Sequence, residues 1–152
     1  MDVFRITKSA YSQDLTGEGA RIHGGRWSKK GVNMLYTSEY GSLAALEILV
    51  HTPIATSPAD LQMVVISIPD DVPFETLDPN TLPANWTQYP APSALAERGT
   101  EWVQSASSLI LKVPSVIIRS EWNFLINPAH SDFSRIRINE IRGFQLDDPL
   151  RE

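Results

Sequence analysis

Hydrophobic positions recur along the chain mostly with the two-residue period of β-strands. Val3–Ile6 shows this alternation, and Leu61–Ile68 is a continuous apolar run of strand length. Further short strands are predicted at Asn33–Thr37, Ser108–Val113, Val116–Ile118, Phe124–Ile126, Phe133–Asn139 and Phe144–Leu146. The chain is therefore expected to be rich in short strands.

The pattern predicts helices in two places. Thr37 or Ser38 is expected to cap a helix from Glu39 to His51, because both residue types are good N-caps. This segment is apolar nearly all round, which indicates a buried helix. A second helix is predicted from Ala94 to Ser105. Many short strands with few helices predict an α+β fold with a mostly antiparallel or split sheet, not a doubly wound parallel sheet.

A proline-rich region separates the two predicted helices. Residues 53–92 hold eight of the eleven prolines, and Asp78–Pro92 is expected to form an extended surface loop. Four apolar side chains are spaced to dock this loop on the core, namely Leu77, Leu82, Trp86 and Tyr89.

Length and composition limit the function classes. A chain of 152 residues predicts a single domain spanning residues 1–152. The absence of cysteine excludes disulfides, Cys-based zinc sites and a Cys nucleophile. The three histidines lie far apart in sequence, so no metal site is expected. No apolar run approaches the ~20 residues of a membrane span and no signal-peptide pattern opens the chain, so a cytoplasmic protein without membrane contact is expected.

The charge is distributed unevenly. A net charge of −5 argues against direct binding of nucleic acid by this chain. Residues 1–30 nevertheless hold six Lys and Arg against three Asp and Glu, and Asp14–Gly31 carries five of the eight glycines. Glycines let the backbone approach a ligand closely. We therefore expect an anion site in this basic, glycine-rich segment, next to Trp27.

Four residues suggest chemistry, and each has two interpretations. Glu47 lies within an apolar helix, where it either pairs with His51 or stabilises a developing positive charge in a cleft. Arg26 either lies over an aromatic side chain or binds a phosphate or carboxylate. Tyr36 either packs in the core or stacks on a flat ligand. Ser115 is either a turn residue or a hydroxyl aimed into a cleft.

Six fragments, in this order, resemble the RES domain, a family named for an Arg, a Glu and a Ser. They are Gly17-x-Gly19-Ala20-x-x-x-Gly24-Gly25-Arg26-Trp27, Tyr36-Thr37-Ser38-Glu39, Leu43-Ala44-x-x-Glu47, Leu82-Pro83-x-x-Trp86 with Trp102, Val113-Pro114-Ser115 and Asn123-x-Leu125-x-Asn127-Pro128-x-His130. The three naming positions match Arg26, Glu47 and Ser115. The C-terminal segment departs from the family pattern, because its Arg is displaced to Arg151.

The resemblance implies a fold similar to that of ADP-ribosyltransferase toxins, with two small, mostly antiparallel sheets around a cleft and flanking helices. RES proteins are toxins of bacterial type II toxin–antitoxin pairs, so the resemblance implies that this chain degrades NAD⁺ as its substrate and needs no cofactor. It also implies an Xre-type antitoxin that blocks the cleft. Any DNA contact would then be indirect, through that antitoxin.

The implied chemistry is cleavage of the bond between nicotinamide and its ribose. Glu47 would stabilise the oxocarbenium-like ribose. Arg26 would hold the phosphates or the adjacent ribose, and Tyr36 would pack on the nicotinamide ring. Ser115 would hydrogen-bond the ribose or orient Glu47. Four further residues are candidate substrate contacts, namely Gly25, Trp27, Asn127 and His130.

The acceptor of the ADP-ribosyl group stays open at this point. Water would make the protein an NAD⁺ glycohydrolase, inorganic phosphate would make it a phosphorylase, and a protein side chain would make it a mono-ADP-ribosyltransferase. The resemblance favours NAD⁺ degradation over protein modification. An interpretation from another class is a non-catalytic partner-binding module, in which Arg26 and Glu47 form a buried ion pair.

Overall fold

The computed structural model describes residues 1–51 and 60–145. Its strands are β1 (Asp2–Lys8), β2 (Leu35–Ser38), β3 (Leu61–Ser67), β4 (Phe74–Thr76), β5 (Ile110–Pro114), β6 (Trp122–Ile126) and β7 (Arg137–Gly143). Its α-helices are α1 (Glu18–His23), α2 (Gly41–His51) and α3 (Ser93–Ser105), and short 3-10 helices occupy Ser9–Tyr11, Pro79–Thr81 and Ser131–Arg135. None of the helices in the described ranges has the length and apolar character of a membrane span.

The α+β class is confirmed. Strands β1, β2, β3, β5 and β6 and helix α3 lie where the hydrophobic pattern predicts them, and α2 begins two residues later than expected. Every strand pair except β4–β5 is antiparallel. The pattern misses β4 and α1, which are only three and six residues long. Such short elements contain too few residues for a period to show.

The predicted cap of α2 is wrong. Thr37 and Ser38 belong to β2, and their hydroxyls donate across the sheet to β6. Thr37 Oγ1 donates to the carbonyl of Phe124 at 2.7 Å, and Ser38 Oγ donates to Asn123 Oδ1 at 3.1 Å. Helix α2 is also less buried than its composition indicates, because two apolar side chains of its last turn are exposed, Leu49 and Val50.

The strand predictions also fail around two turns. Residues 116–118 bend away instead of resuming a strand. The strand predicted at Phe133–Asn139 starts only with β7, because its first residues belong to the 3-10 helix Ser131–Arg135. The first two residues of the strand predicted at Phe144–Leu146 follow β7 without regular structure, and its last residue lies outside the described residues.

The seven described strands form one sheet, in the order β4-β5-β6-β2-β1-β3-β7. Strands β1 and β3 pair over seven residues, whereas β1 and β2 share a single register pair within the described residues, Phe4 with Ser38. The two small sheets implied by the resemblance are therefore joined edge to edge at one point. Past that pair, β1 and β2 diverge and line a cavity between them.

Both faces of the sheet are buried, as the alternation along β6 shows. Phe124 and Ile126 join the hydrophobic cluster on one face, and Leu125 joins the cluster on the other. The second cluster is covered by α3 through Leu95 and Trp102. The packed strands of this sheet therefore hold many of the residues that line the cavity.

The proline-rich loop docks on the second cluster largely as predicted. Leu77 is buried in that cluster, and Leu82 and Trp86 pack against it. Tyr89 is the exception, because 82% of its surface is exposed. Both halves of the loop therefore contact the cluster, through Leu82, Trp86 and Ala91. Tyr89 borders the cleft instead of entering the core.

Candidate active site

Two adjoining cavities lie where the two groups of strands diverge. The larger has a volume of about 370 Å³ and runs between β1 and β2; it is named the Arg5 cavity after a lining residue. The smaller has a volume of about 280 Å³ and lies beside the turn that follows β5; it is named the Arg26 cavity. These volumes are of the order found for small-molecule sites. Three residues line both cavities and mark their junction, namely Tyr36, Glu47 and Asn123.

Glu47 is the carboxylate at this junction. It lies half-buried on α2, and its Oε1 accepts a hydrogen bond from Asn123 Nδ2 at 2.7 Å. Burial raises the pKa of Glu47, while the Asn123 hydrogen bond and the positive charge of Arg26 lower it in part. The proposed alternative partner, His51, has a side chain outside the described part of the structure. Glu47 thus has the environment of a functional carboxylate instead of a solvated one.

Asn123 is a site residue that sequence reasoning missed. It is the second residue of β6 and lies directly opposite Ser38 of β2 in the strand register. The two side chains are joined by the hydrogen bond from Ser38 Oγ to Asn123 Oδ1. A polar residue in an otherwise apolar strand was the available signal, but the residue it contacts, Glu47, is 76 positions away in sequence.

Arg26 borders the smaller cavity and is anchored by the proline-rich loop. Its Nη1 and Nη2 donate to the carbonyls of Trp86 and Gln88 at 2.9 and 3.1 Å. Burial lowers the pKa of Arg26, and nearby tyrosines and Glu47 raise it in part. The ion pairs among the described residues do not include Arg26 with Glu47. The pairing required by the non-catalytic interpretation is therefore not formed.

The glycine-rich segment Asp14–Gly31 holds the Tyr36 side chain in place. Its hydroxyl accepts the backbone N–H of Trp27 at 3.0 Å and lies 2.8 Å from Ser28 Oγ. A Cβ atom at Gly25 would lie 2.5 Å from the same hydroxyl. Glycine at position 25 is therefore needed for this close approach, and its effect on the cleft is to fix the position of the Tyr36 ring.

Trp27 lines the Arg26 cavity but is mainly a core residue. Only 2% of its surface is exposed, and its ring belongs to the cluster under α3. Helix α3 approaches so closely that a Cβ atom at Gly99 would lie 1.8 Å from the Trp27 carbonyl oxygen. The packing of α3 therefore fixes the backbone that follows Arg26, while substrate contact by Trp27 stays a prediction.

Ser115 is fully buried and does not line either cavity. Its Oγ accepts the backbone N–H groups of Ile117 and Ile118, each at 3.1 Å, which turns the chain sharply after β5. The turn presents Val116 and Ile117 to the Arg26 cavity. In this structure Ser115 shapes the cavity wall. A contact with Glu47 is not among the hydrogen bonds of the described residues, and the contact with the ribose stays a prediction.

Asn127 and His130 lie beyond the opposite end of β6 from Asn123. Asn127 is fully buried; its Nδ2 donates to the carbonyl of Val103 and its Oδ1 accepts the N–H of Ala129. His130 Nδ1 accepts the N–H of Asp132 at 3.0 Å and caps a 3-10 helix. Neither side chain lines the described cavities. The geometry gives both residues a structural task, away from Glu47.

Arg5 is a second cation that sequence reasoning missed. Its Nη1 donates to the carbonyls of Asp14 and Tyr11 at 2.9 and 3.4 Å. Burial lowers the pKa of Arg5, and the charge of Asp14 raises it in part. Because Arg5 lines the larger cavity and Arg26 the smaller one, each cavity carries an arginine and the two share Glu47.

The arrangement suits an elongated anionic ligand with an electron-poor centre. The arginines of the two cavities attract negative charge, the ring of Tyr36 offers a flat apolar surface, and Glu47 supplies a localised negative charge at the junction. No group of three or more His, Asp or Glu side chains in the described ranges is arranged to hold a metal ion.

Comparisons with known proteins agree with this architecture. A protein of Sphingobium sp. (strain YBL2) named Prs ADP-ribosylating toxin is 39% identical over 138 residues, which is 90% of this chain and 86% of that protein. A Yersinia enterocolitica protein named Toxin Res is 40% identical over 134 residues, covering 88% of each chain.

A solved structure shares the fold. It is the M. tuberculosis MbcT–MbcA toxin–antitoxin complex, which matches with a TM-score of 0.74 over 95% of this chain and 84% of that chain, at 14% identity. The sequence profile of the RES domain matches residues 2–147, nearly the whole length. The chain therefore belongs to the RES domain family.

Proposed function

We propose that the protein is a toxin that cleaves the nicotinamide–ribose bond of NAD⁺. One observation supports this proposal above all. Glu47 is a half-buried carboxylate at the junction of two cavities, and an arginine lines each cavity. A dinucleotide has two halves and a central pyrophosphate, so it needs a long cleft with cations and a carboxylate beside the reacting ribose. The Sphingobium relative is named an ADP-ribosylating toxin, and this name supports chemistry of the same class.

The proposed step breaks the bond between C1′ of the ribose and the pyridinium nitrogen. The bonding electron pair moves to that nitrogen, so nicotinamide leaves as a neutral molecule and needs no strong acid. The ribose becomes oxocarbenium-like, and the ionised Glu47 stabilises its positive charge. Tyr36 packs against the nicotinamide ring, since its own hydroxyl is already held by Trp27 and Ser28.

Arg26 and Arg5 supply the positive charge for the pyrophosphate. Each anchors part of its guanidinium on backbone carbonyls, which holds the group in place without neutralising it. Removing either cation is expected to weaken NAD⁺ binding more than it slows the bond cleavage, because the charge on the phosphates does not change during the reaction. Arg26→Ala and Arg5→Ala should therefore raise KM more than they lower kcat.

Two kinds of acceptor are supported by different arguments. The resemblance to RES proteins favours attack by water or phosphate, and hence NAD⁺ degradation. The Sphingobium relative is named an ADP-ribosylating toxin, which favours transfer to a side chain of a target protein. Both reactions share the Glu47-dependent step and differ only in the nucleophile that attacks C1′.

An antitoxin partner is part of the proposal. The M. tuberculosis structure that shares the fold is a toxin–antitoxin complex. We propose that an Xre-type antitoxin occupies or covers the cleft around Glu47 in the bacterial cytoplasm and carries any DNA binding. Addition of the cognate antitoxin should then suppress NAD⁺ loss.

The test is an NAD⁺ consumption assay with purified, antitoxin-free protein. NAD⁺, nicotinamide and the ribose product are followed by chromatography, with and without inorganic phosphate. Glu47→Gln should lower the rate by at least about a hundredfold. The matched control is Glu97→Gln, since Glu97 is an exposed carboxylate on α3.

The outcomes separate the acceptors. Nicotinamide release that requires phosphate identifies a phosphorylase, and release without it identifies a hydrolase. Labelled ADP-ribose that appears on added bacterial proteins, with little loss of bulk NAD⁺, identifies a transferase. If wild-type protein releases no nicotinamide under any of these conditions, the proposed chemistry is wrong.

A further inference from the structure

We infer that Asn123 is a positioning residue for Glu47, and that Ser38 supports the Asn123 amide from its other side. This inference rests on the proposed function, because it explains how the carboxylate is held for the NAD⁺-cleaving step. The three side chains form a chain of hydrogen bonds from Ser38 Oγ to Asn123 Oδ1, at 3.1 Å, and from Asn123 Nδ2 to Glu47 Oε1, at 2.7 Å.

The orientation of the amide follows from the chemistry of its two neighbours. An ionised carboxylate only accepts hydrogen bonds, so the amide must turn its NH₂ group towards Glu47. The amide oxygen then faces Ser38, whose hydroxyl supplies the hydrogen. With the amide reversed, two oxygen atoms would meet at the Glu47 contact and repel each other. Glu47 therefore fixes the orientation of the amide, and the Ser38 hydroxyl satisfies the amide oxygen in that orientation.

The sheet holds this chain of hydrogen bonds in place. Ser38 and Asn123 are direct register partners on β2 and β6, so their side chains stand side by side on one face. Ser38 is buried, and Asn123 borders both cavities. Groups mounted on paired strands hold a geometry more accurately than groups mounted on loops. Helix α2 carries Glu47, and the hydrogen bond from Asn123 on the sheet fixes the position of its Oε1.

Other groups in the cleft do not replace Asn123. The titratable side chains that share the two cavities with Glu47 are Arg5, Arg26, Tyr36 and Tyr89. Among the described residues, the hydrogen bonds of Arg5, Arg26 and Tyr36 are directed to backbone groups and to Ser28. Asn123 therefore provides the one direct hydrogen bond from the described residues to Glu47.

The first experiment measures kcat, KM and the pH profile of NAD⁺ cleavage. Asn123→Ala should lower kcat by about ten- to a hundredfold with little change in KM, because a misaligned carboxylate affects the step and not the binding. The acid limb of the profile should move to higher pH, since the carboxylate loses the hydrogen bond that favours its ionised form. Ser38→Ala should move both quantities in the same direction by less.

A second variant keeps the size of the side chain. Asn123→Asp places a carboxyl group against Glu47, and two carboxylates at this distance cannot both ionise freely. The acid limb should then move further than in Asn123→Ala. A residue with a merely structural task would lower stability without moving this limb. The matched control is Asn33→Ala, because Asn33 bonds the Thr16 carbonyl and does not line the described cavities.

A measurement without substrate separates this inference from the proposed function. Carboxyl-carbon NMR of ligand-free protein, with Glu47→Gln to assign the signal, follows the ionisation of Glu47 directly. The pKa of Glu47 should be higher in Asn123→Ala and Ser38→Ala than in wild type. If wild type does not cleave NAD⁺ but the pKa moves, the proposed function fails and the positioning stands. If neither the pKa nor the profile moves in Asn123→Ala or Asn123→Asp, the inference is overturned.

Discussion

Two asparagines near the ends of β6 have opposite tasks. Asn123, the second residue of the strand, faces the cleft and donates to the carboxylate of Glu47. Asn127, just past the end of the strand, is fully buried and holds backbone groups of Val103 and Ala129. The amides of both residues are hydrogen-bonded. The difference is the partner: an amide bound to a titratable group in a cavity can tune chemistry, whereas an amide bound to backbone can only hold the fold.

Two serines repeat the contrast. Ser38 directs its hydroxyl to the side chain that holds Glu47, and Ser115 uses its hydroxyl to accept two backbone N–H groups. Both are almost completely buried. Burial and residue type therefore do not distinguish a functional polar side chain from a structural one, and the hydrogen-bond partner does.

The strongest test of this contrast is Asn127→Ala. It removes the hydrogen bonds that Asn127 makes to the Val103 carbonyl and the Ala129 N–H, and each bond contributes about 0.5–1.5 kcal/mol. The free energy of unfolding should therefore fall by about 1–3 kcal/mol, measured by urea denaturation, while kcat per folded molecule stays close to wild type. Asn123→Ala should show the reverse pattern. A large loss of kcat with unchanged stability in Asn127→Ala would refute the division of tasks.

Ser115→Ala gives a smaller effect of the structural kind. The loss of one acceptor shared by two N–H groups should cost about 1 kcal/mol of stability. The turn that carries Val116 and Ile117 should loosen, and KM for NAD⁺ should rise a few-fold while kcat changes little. Steady-state kinetics beside a thermal melt measures both effects. A drop in kcat of about a hundredfold or more would instead place the Ser115 hydroxyl in direct contact with the reacting ribose.

Glu47→Gln should change stability least. It should raise the free energy of unfolding, whereas the two preceding substitutions lower it. Because the pKa of Glu47 is raised above its ordinary value of 4.5 in the folded protein, the folded state binds a proton there more tightly than the unfolded chain. The contribution of this site to the free energy of unfolding is fully present below the pKa that Glu47 has in the unfolded chain. It is lost as the pH rises through the pKa that Glu47 has in the folded protein. Glutamine does not ionise, so the variant avoids that loss.

The measurement is Tm of wild type and Glu47→Gln across pH. The variant should melt at a higher temperature than wild type near neutral pH, because glutamine has no carboxyl group to ionise. The difference should vanish at about pH 4, where wild type is protonated too. A variant that melts below wild type near neutral pH would show that the ionised carboxylate stabilises the fold, contrary to this expectation.

The elements that follow from local patterns were predictable from the sequence. Strand β3 and helix α3 have the composition and length that their periods require, and both lie where predicted. The cap of α2 was not predictable, because the hydroxyls of Thr37 and Ser38 are used by β6, more than 80 positions away in sequence. Local propensity contains no information about such a distant partner.

The same limit applies to the site. Arg26, Tyr36 and Glu47 were singled out from the sequence, and the structure brings all three to one cavity. Asn123 and Arg5 were not, because a polar residue in a strand becomes meaningful only when the register places it against its partner. Asn127 was singled out from its Asn-Pro turn, a local feature that the fold uses for support.

Ser38 connects the pairing of the strands to the position of the Glu47 carboxylate. Its backbone is half of the single described pair that joins the two groups of strands, and its hydroxyl supports the amide that holds Glu47. A substitution at position 38 that shifts the backbone would therefore weaken both the joint between the two groups of strands and the support of Glu47. One residue thus couples the integrity of the sheet to the geometry of the cleft.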